Sequence, residues 1–393
     1  MNRQTQAVLQ RYDGRDLGAA PHIAVLGSCK VGNFVVTLPL LRALRRRYPD
    51  ATIDFWGSEA TRDFEDALCQ QALLNWRISW DLADAQQFQT LAAAAAERGQ
   101  PDLLINCDGF NPLTQVLASW LRPAWVAGGA LSATARRELP WGEHPYQRFL
   151  GDPDWDSPAF VERYGGLFQS NYIAELLCRL AWLEPTEHEL QHIELPWVEP
   201  PFAVPAVLIH CTTTRAAKIW PFERWAAVLR WCAGRGISMG LVGAPPARQA
   251  AEYHAGGGED QLLAEFSEAA GGPLIDLRGQ TNLIQLAGAC RAARAVVSVD
   301  AGPLHIAAAV GTPVLAVVGN DSADLGASPL RLWMPRAPQL QRTVSSQSCD
   351  GCETRRYRND ACVAERHHCM EGVGPHQVID WLDAQLATAQ TPP

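Results

Sequence analysis

The sequence predicts an α/β protein built from two doubly wound, Rossmann-like domains that face a cleft. Three observations carry this expectation. Short apolar runs alternate with amphipathic stretches through the first half, the rhythm of a parallel sheet with crossover helices. The same rhythm restarts near residue 206, after a segment 184–205 that holds five prolines. Finally, 393 residues exceed one ordinary core, and an apolar fraction of 47% with 19% charged residues is enough to bury two.

Residues 1–21 have no apolar core of signal-peptide length and read as a flexible cytoplasmic leader. The first domain, 22–190, opens on the strand IAVLG (23–27). A helix from about Asn33 to Tyr48 follows, then the strand ATIDFWG (51–57), a helical segment ending in LAAAAAERG (91–99), and the strand DLLINC (102–107). Arg42 and Arg45 to Arg47 read as a solvated helix face rather than an anion site. Residues 120–166 break the pattern into an irregular insert, in which Trp125, Trp141 and Trp155 offer aromatic platforms for a sugar. Residues 191–205 read as a linker.

The second domain, 206–345, repeats the architecture. Its segments are AVLIHC, a helix opening at WPFERWAAVLRW, the strands ISMGLVG and PLIDL, a helix from near Thr281, and the strand AVVSV (295–299). Trp225, Val228, Leu229 and Cys232 fall at helical spacing and face its core. Residues 373–393 close the chain as a helix and tail.

A net charge of -9 argues against a general nucleic-acid binder, because phosphate-backbone binding needs a basic field. No stretch approaches the roughly 18 apolar residues of a membrane span, which leaves at most peripheral membrane contact. Eleven cysteines, an odd number without a secretory signal, point to reduced thiols. Four of them, Cys349, Cys352, Cys362 and Cys369, form C-x2-C-x9-C-x6-C within a finger at 346–372. Such a thiolate set suits a structural zinc or iron, with His367 or His368 able to replace one ligand; free thiols are the alternative.

Two segments point to chemistry. In SVDAGPLHIAAAVG, Asp300, Ala301 and Gly302 form a turn after a strand, and Pro303 suits the first position of the next helix. Gly302 lets an anion approach the free N–H groups at that helix start, with His305 one turn in. The plain structural alternative is a strand, turn and helix capped by Asp300. In IHCTTTRAAKIWPFERW, Thr213 and Thr214 offer hydroxyl and backbone donors while Lys218 supplies a cation, a combination suited to a departing phosphate; a Thr-rich loop with a solvated lysine is the alternative.

Together these segments resemble glycosyltransferase family 9, the heptosyltransferases that use ADP-heptose, most closely the lipopolysaccharide heptosyltransferase I type. The likeness runs from about residue 22 to 382. It rests on motifs similar to H-x-T-T-R-x-x-K-x-W-P and S-V-D-x-G-x-x-H, the first with one extra residue before Thr213 and Thr214. The resemblance implies a GT-B fold, acceptor on the first domain, nucleotide-sugar on the second, inversion at the anomeric carbon and no cofactor for catalysis. It also implies that Thr213, Thr214 and Lys218 hold the donor phosphates from one side, with Gly302 and His305 on the other and Asp300 at the sugar hydroxyls. The acceptor is then a cell-envelope glycolipid or a protein, reached by a cytoplasmic enzyme, possible contact with the inner membrane being peripheral. Protein-modifying members resemble this chain in carrying a cysteine finger.

Two departures stand out. After the glycine of VGAP the heptosyltransferase I type has a glutamate that touches the ribose, where this chain has Pro246, Ala247 and Arg248. In SCKVGNFVVT, Lys30 and Gly32 suit a turn that meets an anionic acceptor, but Asn33 stands where the family has an aspartate that looks like its general base. An amide has no usable proton affinity. Asp108 leaves a strand at the same sheet edge and is assigned as the base, with Asn33 orienting the acceptor; a capping or turn role for Asp108 is the alternative. A chain that kept its donor seat without a base would be a catalytically inactive nucleotide-sugar-binding protein.

Overall fold

Strands buried on both faces read as near-continuous apolar runs, and such runs form the centre of two six-stranded parallel sheets. The protein is described by a computed structural model over residues 9–81, 85–109, 111–132, 134–154, 158–170, 172–252, 257–319, 330–347, 349, 351, 362, 364 and 366–388. The chain divides into two compact units, with the main change between Leu190 and Gln191.

In the first unit the strands are β1 (Gln10–Arg11), β2 (His22–Leu26), β3 (Thr52–Gly57), β4 (Trp76–Ser79), β5 (Leu103–Asn106) and β6 (Trp125–Gly128), in the order β1-β6-β5-β2-β3-β4. In the second they are β7 (Val207–His210), β8 (Met239–Leu241), β9 (Leu274–Asp276), β10 (Ala295–Val299), β11 (Val314–Val317) and β12 (Leu340–Arg342), in the order β12-β11-β10-β7-β8-β9. Strand order reverses between β2 and β5 in one sheet and between β7 and β10 in the other. Register is direct at both places: Leu26 lies opposite Asn106, and His210 opposite Ser298. Doubly wound sheets bind ligands at the carboxyl ends of the strands flanking such a reversal.

The expected leader is corrected by the structure. From Leu9 onward the chain is built into the first unit: β1 pairs with β6, and Leu9 and Tyr12 are buried. Arg11 donates to the carbonyls of Gly128, Leu139 and Pro140, and its guanidinium lies 4.2 Å from the Trp141 ring centroid. Arg15 lies 3.5 Å over Trp125. Two tryptophans assigned to a sugar platform are therefore partners of the N-terminal segment, Trp125 at the opening end of β6, the opposite end from Asp108; Trp155 lies outside the described residues. The insert itself holds β6 and the helices Pro145–Arg148 and Pro158–Tyr164.

Arg45 is no solvated charge either. It donates to the carbonyls of Pro49, Ala51 and Leu73 and to Asn75 Oδ1, stapling the helix Val31–Arg47 to the ends of β3 and β4. Arg46 reaches the Glu184 carbonyl at 3.1 Å and pairs with Glu189. The segment expected to be a linker packs on the second unit: Val198 N donates to the Ile284 carbonyl at 3.1 Å, and a Cβ at Gly288 would collide with the Val198 carbonyl.

Trp225, Val228, Leu229 and Cys232 are fully buried on the helix Phe222–Ala233. Val378, Trp381 and Leu382 of the helix Pro375–Thr388 pack into the same core. Trp220 Nε1 donates to the Val373 carbonyl at 3.0 Å. This places Lys218 on a short 3-10 turn, Ala216–Lys218, held from below by an anchored indole.

Candidate active site

At the first reversal, β2 runs into a turn whose main chain is tied on both sides. Gly27 N donates to the Trp56 carbonyl at 2.9 Å, and the Gly27 carbonyl accepts from Trp80 Nε1 at 2.9 Å. A Cβ on Gly27 would sit 2.4 Å from the Phe55 ring, so glycine is required by contact. Lys30 is the N-cap of the helix Val31–Arg47, which makes Asn33 its third residue rather than its first. That first turn carries no acidic side chain, leaving its amide dipoles uncompensated along the helix itself.

β5 ends in the buried Asn106, whose amide donates to the Gly129 carbonyl at 2.7 Å while its Oδ1 accepts from Asp108 N at 3.1 Å. The Asp108 turn is thus clamped from β6. Its own carbonyl accepts from Asn111 N at 2.9 Å and Thr114 Oγ1 at 2.7 Å, whereas the cap of the next helix, Pro112–Trp120, is the Asn111 side chain. The main chain of Asp108 serves the turn, and its carboxylate is left for the site.

That carboxylate accepts from Asn111 Nδ2 at 3.4 Å and from the Ser28 hydroxyl, with Lys30 close by. Asn33 Nδ2 donates to the same Ser28 Oγ at 3.1 Å. The structure therefore brings Lys30, Asn33 and Asp108 together around Ser28, a residue that sequence reasoning passed over although it adjoins them in SCKVGN. Burial pushes the Asp108 carboxyl above its ordinary value, and Asn111, Lys30 and Ser28 oppose this only in part. A shift in this direction raises the proton affinity of the carboxylate, which is what a general base needs.

At the second reversal, Lys218 Nζ lies 2.7 Å from Asp300 Oδ2, and His305 Nε2 lies 4.0 Å from Asp300 Oδ1. The N-cap of the helix Gly302–Ala309 is Ala301, without a side-chain bond, and Pro303 follows Gly302 within the first turn. Asp300 is therefore no cap; it is the anionic partner of Lys218. Burial drives Asp300 up, but the Lys218 ammonium outweighs it and holds the carboxyl below its usual range. Burial lowers His305 to about 4, so its imidazole is neutral at physiological pH. His305 Nδ1 is buried with no hydrogen-bond partner among the described residues. Thr213 is buried and Thr214 exposed on the loop after β7. Near VGAP, Gln249 Nε2 donates to the Ala244 carbonyl at 2.8 Å.

Cys349 and Cys362 are in no disulfide, Cys369 lies in the core of the second unit with Cys349 packed against that core, and Cys352 lies outside the described residues. Among the described residues no three His, Cys, Asp or Glu side chains gather into a metal-holding group.

Comparison with known proteins identifies the family. Residues 152–354 match glycosyltransferase family 9 (heptosyltransferase). Lipopolysaccharide heptosyltransferase 1 of Pseudomonas aeruginosa is 32% identical over 396 residues, covering 94% of this chain and 99% of that one. The family 9 glycosyl transferase of Veillonella parvula superposes with a TM-score of 0.66 at 15% identity, over 96% of this chain and 100% of the other. The iron-containing heptosyltransferase TibC of enterotoxigenic E. coli, solved with ADP-D-β-D-heptose, superposes with a TM-score of 0.55 at 13% identity, over 95% and 78%. Two doubly wound units of this kind define a glycosyltransferase of the GT-B class. The chain belongs to glycosyltransferase family 9.

Proposed function

We propose that the protein moves a heptose from ADP-heptose to a hydroxyl of the lipopolysaccharide core, with inversion at the anomeric carbon, at the cytoplasmic face of the inner membrane. Two observations support this reading, each within its own unit: a raised carboxylate, Asp108, at the strand reversal of the first, and a cation beside a helix start without a side-chain cap at that of the second. Asp108 takes the proton of the acceptor hydroxyl as its oxygen bonds to the anomeric carbon. The bond to the diphosphate breaks, and Lys218, the amides at Gly302 and the Thr213–Thr214 loop stabilise the departing charge. Neutral His305 offers its unpartnered Nδ1 to the same donor, while Lys30 and Asn33 orient the acceptor. Asn33 is also the observation that favours a second reading, a binding protein without turnover. Labelled ADP-heptose separates them: a transferase releases heptose slowly to water and quickly to a core acceptor, whereas a binder is heat-stabilised by the donor and leaves it intact.

The same reading includes one structural metal held by Cys349, Cys352, Cys362 and Cys369. A zinc or iron ion there supplies a crosslink for the finger and takes no part in transfer. Protein purified without chelators is expected to hold close to one zinc or iron per chain. Metal-free protein with all four thiols titratable in the native state sinks the assignment.

A further inference from the structure

We propose that the face carrying Phe88, Leu113 and Val116 docks on an anionic lipid bilayer, which sets the Asp108 turn against an acceptor whose acyl chains remain in the membrane. The inference rests on the glycolipid reading above and names the surface that serves it. Leu113 and Val116 are exposed one turn apart on Pro112–Trp120, which buries Thr114, Leu117 and Ala118, while Trp120 is half-buried against the first unit's core. Phe88, from the helix Ala85–Arg98, lies 5.6 Å from the Trp120 ring, which joins the two helices into one apolar strip. Phe88 is 56% exposed, Leu113 44% and Val116 45%, and the Phe88–Trp120 contact brings them together on neighbouring helices.

Charge is distributed as a bilayer would require. Pro112–Trp120 has no charged residue, and Ala85–Arg98 has none before Glu97. The rim is basic. Ser119 Oγ accepts from Leu131 N at 2.7 Å and donates to the Leu131 carbonyl at 2.8 Å, tying to this helix the segment that carries the exposed Arg136 and Arg137. An apolar strip edged by arginines is the composition of an interfacial membrane contact. Among the described residues no helix is long and apolar enough to cross a membrane, so a lipid-borne acceptor has to be met by a surface. This surface begins three residues after Asp108, since the helix is capped by Asn111.

Vesicle flotation of the full chain tests the proposal, using phosphatidylethanolamine with phosphatidylglycerol against phosphatidylcholine alone. The wild type should float with the anionic vesicles. Changing Phe88, Leu113 and Val116 together to Ser should lower partitioning by about tenfold or more, while Arg136→Ala with Arg137→Ala should cost about fivefold per arginine on anionic vesicles only. The serine variant should keep full transfer to a deacylated, water-soluble core acceptor and lose rate only on the acylated one in vesicles. Unchanged flotation of the serine variant overturns the proposal, as does equal loss on both acceptors. So does a serine variant that dissociates in sedimentation velocity with its flotation intact, which makes the face a contact between copies. Failure of the wild type to use the deacylated acceptor removes the heptosyl-transfer reading instead, and flotation still decides the docking face.

Discussion

Asp108→Asn is expected to lower transfer to the true acceptor by about 10² to 10⁴, the usual cost of removing a general base, with ADP affinity close to wild type. The substitution keeps the shape of the side chain and its contacts with Ser28 and Asn111, and removes only the proton affinity. Stability should move the other way. Asp108 has a folded pKa raised above its unfolded one, so the folded chain binds the proton more tightly and stability falls as pH rises through the interval between the two values. Asparagine has no such charge to bury, and Asp108→Asn should melt at or above the wild-type temperature at neutral pH. A fall in turnover with unchanged or higher Tm separates a catalytic carboxylate from a structural one. The acid limb of kcat/KM should likewise lie above the ordinary carboxylate range and vanish in the variant. Asn33→Asp is the companion change: it places a second carboxylate on Ser28, and turnover should be retained or raised. Full turnover in Asp108→Asn puts the base elsewhere.

The parts of the fold that were legible in the sequence are those written in a single local pattern. AVVSV at 295–299 is a strand because five consecutive apolar or small residues suit a position buried on both faces, and the core positions Trp225, Val228, Leu229 and Cys232 follow from helical spacing alone. What was not legible depended on partners distant in the chain. β1 is two residues long and exists because β6 offers a free edge more than a hundred residues later, and Arg45 reads as a surface charge until Leu73 and Asn75 are seen beside it. The candidate site divides in the same way. Asp108 and Asn33 could be placed at one edge from strand order, but their meeting point at Ser28 is a matter of side-chain reach. A helix cap stood as the plain alternative for Asp300, since Asp commonly is one after a strand; the lysine that claims it lies more than eighty positions earlier.

Lys218→Ala should weaken ADP binding by about 1 to 3 kcal/mol, roughly 5- to 150-fold, through loss of a charge-assisted contact with the diphosphate. The ion pair adds a second effect that a solvated lysine would not show. In the wild type Asp300 has a folded pKa below its unfolded one, so its contribution is present above the ordinary carboxylate range and is lost as pH falls through the lowered value. Without Lys218 the buried carboxylate faces desolvation with only His305 left to oppose it, and its pKa rises. Its linkage then reverses, and the variant should be less stable at pH 7 than the wild type by up to about 3 kcal/mol, the scale of a broken buried pair, and should recover as pH drops toward the carboxylate range. Adding Asp300→Asn to Lys218→Ala removes the stranded charge, so the double variant should regain most of the Tm while ADP affinity stays low. Calorimetric titration with ADP and thermal melts across pH read the two effects separately. A double variant that recovers both stability and affinity shows that Lys218 serves the fold alone. Recovery of stability without affinity leaves Lys218 with two roles, holding Asp300 in the free protein and meeting the diphosphate when the donor arrives.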